Sequence, residues 1–171
     1  MSYDIHILDY ISIYFIQVVL GVIMKLKNIL IGTFVGSFIM IYVGLLLQIK
    51  FENIFSLWLF FAGSTSYALS NNNFKVSVLS NFMGANIGFI IILLGLISNN
   101  IIYNTTITAF FTMIIVLLGI KFNKIFNTSA IFIGGFSSFA TYGNIKMVIL
   151  SLLLGILFGV LTNIITEKIN K

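Results

Sequence analysis

Residues 60–75, FFAGSTSYALSNNNFK, decide how this chain is interpreted, because a closely similar stretch returns at residues 131–146, IFIGGFSSFATYGNIK. Each copy places Gly, Ser, Thr and aromatic residues within a region that is otherwise strongly apolar. Small hydroxyl residues that replace apolar ones at equivalent places in two halves of a membrane protein commonly mark a transporter's binding site. The doubled stretch therefore indicates a membrane protein with a solute site.

The composition also indicates a membrane location. Of the 171 residues, 60% are hydrophobic and only 8% are charged, whereas globular domains average about 45–50% apolar and about 25% charged residues. Apolar runs such as residues 87–97 lack the alternation of a membrane β-strand, which predicts helices. At roughly 20 residues per helical span, the chain has room for about six spans and no extramembrane domain.

The predicted fold is all-α, a polytopic membrane protein with a six-helix core. The expected spans are residues 28–47, 54–69, 76–97, 107–120, 130–140 and 147–165. An uncharged loop, residues 98–106, separates the third span from the fourth. The fifth span is too short for a straight crossing of about 30 Å at about 1.5 Å per residue. We therefore expect it to be broken or completed by polar residues.

Residues 1–23 form an N-terminal extension with two alternative assignments. Its apolar run follows Asp4, His6 and Asp9 and lacks the positively charged start of a signal peptide. The extension is either an extra N-terminal helix or a stretch that precedes a translation start at Met24. The intact mass of the natively expressed protein distinguishes the two. In both cases residues 24–171 are expected to form a single membrane domain.

Lysine placement predicts the orientation of the core. Nine basic residues, all Lys, oppose four acids and give a net charge of +5. Counting the spans leaves only Lys50 and Lys146 on one side. The other side receives Lys25, Lys27, Lys75, Lys121, Lys124, Lys168 and Lys171. By the positive-inside rule both core termini are cytoplasmic. Lysines scattered between apolar runs do not indicate a nucleic-acid partner.

A shift of about 71 positions aligns the sequence with itself and predicts an internal repeat. The paired residues include Gly63 and Gly134, Lys75 and Lys146, Gly84 and Gly155, and Gly88 and Gly159. Repeat 1 covers about residues 28–98 and repeat 2 about residues 105–166, with three spans in each. An odd number of spans inverts the second repeat, and two inverted repeats bring their equivalent broken segments together near the midplane.

The two Gly/Ser clusters are the candidate solute pathway, in which helix breaks would free backbone groups and two aromatic side chains would form a constriction. The cluster residues are Gly63, Ser64, Thr65, Ser66, Tyr67, Gly134, Gly135, Ser137, Ser138 and Phe139, with Tyr67 and Phe139 as the constriction. Such groups suit a small uncharged polar solute or a weakly hydrated ion. Alternatively, Gly and Ser only allow close helix packing, and the hydroxyls bond to their own helix.

A second set of small residues recurs every four positions on the two longest spans. These are Ser80, Gly84 and Gly88 in the third span, and Ser151, Gly155 and Gly159 in the sixth. The spacing places them on one helical face and predicts helix packing. We expect these faces to pack the third span against the sixth. Asn81 and Asn86 match Leu residues in the sixth span, so they either line the pathway asymmetrically or bond to a neighbouring helix.

The sequence predicts no catalysis, metal or cofactor. His6 is the single histidine, cysteine is absent, and the core spans hold no ionisable residue away from their ends. The core therefore lacks an acid–base pair or a base to activate a serine. The same absence argues against proton-coupled transport, which needs ionisable residues within the spans.

Residues 132–161, FIGGFSSFATYGNIKMVILSLLLGILFGVL, resemble the C-terminal signature of the YcdZ-like bacterial inner-membrane proteins, also called domain of unknown function 1097. The matching residues are Gly134, Phe139, Ala140, Lys146, Leu150, Ser151, Gly155 and Gly159. The resemblance covers roughly residues 28–165. It implies a membrane location and no particular activity.

The sequence thus predicts a passive channel or facilitator for a small, mostly uncharged solute in the lipid bilayer of a bacterial cytoplasmic membrane. The small size of the chain predicts a homo-oligomer in which each protomer holds its own pathway. The main alternative is a non-transporting scaffold or accessory subunit. A third possibility is a coupled transporter with an additional partner or cation.

Overall fold

The computed structural model describes residues 35–169. These residues form six helices: α1 Val35–Lys50, α2 Leu57–Leu69, α3 Phe74–Gly95, α4 Ile101–Lys121, α5 Thr128–Ala140 and α6 Ile145–Ile169. The described part of the chain contains no strand, so the predicted all-α fold is confirmed. Both alternatives for residues 1–23 and the start of the first predicted span lie outside the described residues.

Three of the helices, α3, α4 and α6, are long and apolar enough to cross a membrane. Their most apolar windows have mean hydropathies of 1.9, 2.0 and 2.6. Large apolar side chains are exposed along all three, including Phe82, Phe110 and Leu157. Extensive exposed apolar surface marks contact with a membrane or another protein. The chain is a helical membrane protein.

Helices α2 and α5 are shorter than a membrane span, with 13 residues each. At about 1.5 Å per residue each is about 20 Å long, whereas a bilayer core is about 30 Å thick. The sequence predicted a short fifth span, a longer second span and breaks in both polar clusters. The predicted breaks were wrong, because both clusters keep their helical backbone and pack against a longer helix.

Helix α4 begins at Ile101, inside the predicted loop. The side chain of Asn100 caps this start by accepting a hydrogen bond from the N–H of Ile102 at 2.8 Å. The hydroxyls of Thr105 and Thr106 each donate to the carbonyl oxygen four residues earlier, at 2.8 Å. Hydroxyls bonded in this way are tolerated within a helix. The polar composition that predicted a loop therefore belongs to the first turns of α4.

The same backbone turn follows both short helices. After α2, Asn71 and Asn72 have positive φ angles of 53° and 57°; after α5, Tyr142 and Gly143 have φ angles of 52° and 82°. Asn and Gly adopt this left-handed conformation at low cost. The turns reverse the chain, so each short helix runs antiparallel to the long helix that follows it.

An asparagine caps the long helix after each of these turns. The Oδ1 atom of Asn73 accepts from the N–H of Val76, and that of Asn144 accepts from the N–H of Met147, each at 3.2 Å. Asparagine is among the most favourable N-cap residues because its oxygen satisfies an amide that lacks a helical partner. The two helix–turn–helix units therefore share their local chemistry.

Each short helix packs along the long helix of the other unit. Helix α2 lies along α6 and α5 lies along α3, in the two most extensive helix contacts of the described residues. Contacts advance together along α2 and α6, from Ser56 with Ser151 to Phe60 with Gly155. Helices α2 and α6 therefore run parallel. Because α2 is antiparallel to α3, the long helices α3 and α6 run in opposite directions where they touch.

Candidate functional site

The small-residue stripes of α3 and α6 lie within these helix contacts. A Cβ atom added to Gly84 would overlap the carbonyl oxygen of Ile131, and one added to Gly155 would overlap that of Phe60. Backbones approach this closely only where side chains are absent. The stripes face α5 and α2 rather than each other. The sequence predicted that the small-residue faces of the third and sixth spans contact each other. This prediction was wrong, because α5 covers the glycine face of α3 and α2 covers that of α6.

Two buried serines hold the starts of the short helices. The Oγ atom of Ser80 accepts from the N–H of Asn127 at 2.8 Å, and that of Ser151 accepts from the N–H of Ser56 at 2.9 Å. Ser56 and Asn127 are the N-cap residues of α2 and α5. Ser80 and Ser151 thus each satisfy a backbone amide at the N-terminus of a short helix, where the helix has no partners of its own.

Contacts in the two halves match at an offset of 71 positions in the sequence. The matched contacts are Ser80–Asn127 with Ser151–Ser56, Gly84–Ile131 with Gly155–Phe60, and Gly134–Asn81 with Gly63–Leu152. Adding 71 to a residue number in α3 gives its counterpart in α6, and adding 71 to one in α2 gives its counterpart in α5. The α3–α5 and α6–α2 pairs therefore pack by the same plan.

The two Gly/Ser clusters face different helices. Gly63 lies against the carbonyl oxygen of Leu152 in α6, whereas Gly134 lies against the main chain of α3 and Gly135 follows it there. The side-chain amide of Asn127 donates to the carbonyl of Leu69 at 3.0 Å, so α5 begins beside the end of α2. The two clusters therefore pack on different long helices, while α2 and α5 also touch each other. A joint solute site formed by both clusters stays a prediction.

Several of the predicted pathway groups are already satisfied by backbone carbonyls. Thr65, Ser137 and Asn86 each donate to the carbonyl oxygen four residues earlier on their own helix, at 3.0, 2.7 and 2.7 Å. Ser138 donates instead to the carbonyl oxygen of Ala85 on α3, at 2.9 Å. These groups follow the packing alternative, because their donors are used within the protein.

Tyr67 and Phe139 lie on different sides of the molecule. Tyr67 is buried and, with the half-buried Ser64, packs over Gly159 of α6. Phe139 is 37% exposed and borders a shallow depression beside Gly88 of α3. The predicted aromatic constriction was wrong, because the parallel packing of each short helix on its own partner separates the two rings.

A buried polar cluster joins α2 to α3. The hydroxyls of Ser66 and Ser77 are 2.8 Å apart, and the side-chain nitrogen of Asn81 donates to the Ser66 hydroxyl and, at 2.8 Å, to the Ser77 carbonyl. That carbonyl can only accept a hydrogen bond, which fixes the orientation of the Asn81 amide. The Oδ1 atom of Asn81 is buried and has no hydrogen-bond partner within residues 35–169.

Asn81 also borders a cavity between α3 and α6. The cavity has a volume of about 120 Å³. Four pairs of lining residues are 71 positions apart: Val78 and Ile149, Asn81 and Leu152, Phe82 and Leu153, and Ala85 and Ile156. Asn81 is the polar member among the lining residues. The cavity therefore lies where the two matched halves meet, and one of its walls contains Asn81, whose Oδ1 atom has no partner within residues 35–169.

Ser77 completes the polar cluster but was not predicted from the sequence. It stands four residues before Asn81, which places both on one face of α3. That spacing is the available sequence signal. It could not identify Ser66 as the partner, because the contact depends on how α2 meets α3 at the turn.

The family model described as "Protein of unknown function (DUF1097)" matches residues 29–167. The chain belongs to this family. The match confirms the DUF1097 resemblance predicted from the motifs around residues 132–161. No curated protein and no solved structure matched the chain. The family description states no activity, so the function of this DUF1097 chain has to be argued from its geometry.

The ionisable groups within residues 35–169 of this DUF1097 protein lie away from the cavity. In the described helices they stand near helix ends, as Lys75 at the start of α3, Lys121 at the end of α4, and Lys146 at the start of α6. The described residues contain no group of three or more His, Cys, Asp or Glu side chains that could hold a metal ion. What the cavity offers to a ligand is apolar surface and the Asn81 oxygen.

Proposed function

We propose that this protein is an integral membrane channel or facilitator for a small, mostly uncharged solute, with the solute site at the α3–α6 cavity. One observation carries the proposal: Asn81, whose buried Oδ1 atom has no hydrogen-bond partner within residues 35–169, is one of the residues that border a cavity between the two long helices. A buried polar atom normally has a partner, so an exception is explained best by a ligand or water that supplies one. In this proposal the solute binds at the α3–α6 cavity instead of between the two Gly/Ser clusters that the sequence predicted as the pathway.

An inverted repeat supports this placement. The matched contacts at an offset of 71 positions are those expected if a pseudo-two-fold operation relates the two halves, as the proposed inverted repeat requires. Because α3 and α6 run in opposite directions, the axis between them is perpendicular to both. If both helices cross the bilayer, this axis lies in the membrane plane, where the sites of inverted-repeat transporters are found.

Charge supports a multi-pass protein in a bacterial cytoplasmic membrane with its core termini in the cytoplasm. The side chain of Asn72 contacts Asn163 at 3.5 Å, so the turn after α2 lies near the end of α6. Lys75 follows that turn, and Lys168 ends α6 on the same side. Lys146, at the start of α6, lies on the opposite side. The richer side would be cytoplasmic by the positive-inside rule.

The proposal is for passive transport without catalysis. No ionisable side chain borders the α3–α6 cavity within the described residues. Proton-coupled carriers and hydrolases both require such groups close to their substrate. An uncharged cavity instead discriminates by size and hydrogen bonding, and it disfavours ions because a charge is costly to bury without a partner.

Helix α4 supports a homo-oligomer. Only 6% of its most apolar window is buried within the described structure, against 44% for α3. Thr108 and Thr112 lie one turn apart on a shallow surface of α4. Small hydroxyl residues on an exposed membrane helix favour packing against another helix. We therefore extend the proposal to copies that associate through α4, each with its own cavity.

A non-transporting scaffold is the second candidate. It is favoured by the packing of Gly63, Gly84, Gly134 and Gly155, whose small size serves helix contacts. A pure scaffold gives no reason for the cavity or for the free oxygen of Asn81. Transport measurements on Asn81 variants therefore discriminate between the two candidates.

The deciding experiment is stopped-flow uptake into proteoliposomes, with urea, glycerol, butyramide and butyrate as solutes and protein-free vesicles as the baseline. We expect accelerated entry of at least one neutral solute, and an Asn81→Leu variant should lose at least about tenfold of the protein-dependent rate because the acceptor is gone. Asn86→Leu is the matched control, since Asn86 lies on the same helix and bonds to its own backbone. Its rate should be unchanged.

The facilitator proposal fails if folded protein accelerates none of these solutes. It also fails if both asparagine variants transport as fast as the parent. Ser66→Ala is a suitable further variant, because Ser66 is fully buried and a larger side chain would not fit its site.

A further inference from the structure

The α3–α6 cavity has two unlike walls. Four pairs of its lining residues occupy matching positions, 71 residues apart, and three of these pairs are apolar in both members. In the fourth pair, Asn81 on α3 corresponds to Leu152 on α6. The polar group behind Asn81 is also missing from α6, where Val148 stands in place of Ser77. A ligand therefore meets one hydrogen-bond acceptor and is otherwise surrounded by hydrocarbon.

The acceptor selects the polar group of the ligand. Both hydrogens of the Asn81 amide face Ser66 and Ser77, so only Oδ1 is free to interact. An amide oxygen accepts hydrogen bonds and donates none. It attracts an O–H or N–H group and repels a carboxylate. No cation among residues 35–169 borders the cavity to offset that repulsion, so the described cavity disfavours anions.

The volume selects the size of the ligand. The cavity measures about 120 Å³, and an apolar cavity of about 150 Å³ in another protein holds a benzene molecule. The ligand is therefore comparable to benzene in size and largely apolar. A strongly hydrated molecule would give up several hydrogen bonds on entry and recover one.

Two residues that line the cavity reach the surface of the described structure. Leu79 and Phe82 are 47% and 54% exposed and lie in the first half of α3. Both are apolar and stand within a helix long enough to cross the bilayer. An entrance between these side chains would face the lipid and admit molecules dissolved in it.

We infer that the α3–α6 cavity binds a compact neutral amphiphile, with one O–H or N–H group donating to Oδ1 of Asn81 and an apolar body of benzene size between the two helices. The inference rests on the proposed function in taking this cavity as the solute site, and it adds the chemical class of the solute and lateral entry from the bilayer.

Three probes of similar size test the ligand class. Phenol carries one donor, toluene carries none, and benzoate carries a negative charge. Equilibrium dialysis measures the retention of each by nanodiscs that contain the protein, with empty nanodiscs of the same lipid subtracted. The full-length protein should retain phenol saturably and about tenfold more tightly than toluene, which corresponds to one buried hydrogen bond. Benzoate should not be retained.

Two variants separate the hydrogen bond from the space. Asn81→Leu places on α3 the residue found at position 152 on α6, and phenol should then bind no more tightly than toluene. Ala85→Ile copies position 156 and fills the cavity, so both probes should be lost. Asn86→Leu should retain the phenol preference of the parent. Circular dichroism and monodisperse elution establish that each variant is folded.

Equal retention of phenol by the parent and by Asn81→Leu overturns the inference. Retention of benzoate, or no saturable retention of phenol by the folded parent, also overturns it. These outcomes differ from failure of the facilitator proposal. Butyramide flux without phenol binding overturns only the ligand class, whereas phenol binding without flux of any solute overturns only transport.

Discussion

The two helix–turn–helix units of this protein pack alike but differ in polarity. Serines and glycines at matching positions dock α5 on α3 and α2 on α6 through the same contacts. The polar cluster has no such counterpart: Ser66, Ser77 and Asn81 correspond to Ser137, Val148 and Leu152. Repetition thus identifies the residues that hold the fold together. The departure from repetition coincides with the cavity where we propose that a solute binds.

The largest expected effect breaks the shared packing. Gly84→Leu and Gly155→Leu each place a side chain against the main chain of a short helix. Backbone cannot yield as a flexible side chain can, so we expect a loss of about 3 kcal/mol or more in the free energy of unfolding. The two variants should be affected to a similar degree. Unfolding in detergent, followed by circular dichroism, measures the loss.

Gly95→Ala is the control for these two variants. The nearest atom to a Cβ at this position is Oδ1 of Asn104, at an ordinary contact distance of 3.5 Å. Its stability should stay within about 0.5 kcal/mol of the parent. If Gly155→Leu were tolerated while Gly84→Leu was not, the two halves would not share one packing plan.

The next largest effect is expected when Leu152, the apolar counterpart of Asn81, is made polar. Leu152→Asn puts an amide where Val148 replaces Ser77 and where the matching serine, Ser137, already donates to its own helix. The new amide lacks the partners that hold Asn81, so we expect a loss of about 2 kcal/mol in the free energy of unfolding. The same unfolding assay measures it. A variant as stable as the parent would show that the α6 wall can also accommodate a polar group.

The packing plan was largely predictable from the sequence, because glycine and serine spacing carries it directly. Residues Ser80, Gly84 and Gly88 fall on one face of a helix wherever that helix packs. The offset of 71 positions was visible as well. The partner of that face was not predictable, because the choice between a long helix and a short one depends on the tertiary arrangement.

The candidate site was less predictable. A cluster of Gly, Ser and Thr looks the same in a sequence whether it breaks a helix or packs a helix against its neighbour. In this protein both clusters lie within continuous helices and serve packing. Asn81 was among the predicted residues, but its importance depends on a free oxygen and a neighbouring cavity. Both arise only when α2, α3 and α6 come together. Exposed hydroxyls likewise made the start of α4 resemble a loop.

Asn81→Leu combines a small expected effect on stability with the largest expected effect on transport. Asn81→Leu removes an amide that makes hydrogen bonds to Ser66 and Ser77, but it also removes a buried oxygen that has no partner. The two serine hydroxyls, 2.8 Å apart in the parent, can still bond to each other after the change. Losing the hydrogen bonds destabilises the protein, whereas removing the unpartnered oxygen stabilises it. The free energy of unfolding should therefore change by less than about 1 kcal/mol.

The same unfolding assay, run beside the uptake measurement, separates a role in folding from a role in binding. A large destabilisation of Asn81→Leu would show that the polar cluster is a structural cross-link between α2 and α3. A stable variant that no longer accelerates uptake would show that the fold does not require an amide at position 81. The matching position 152 is already occupied by Leu. Asn81 would then be retained for the solute, at the position where the two halves of the cavity differ.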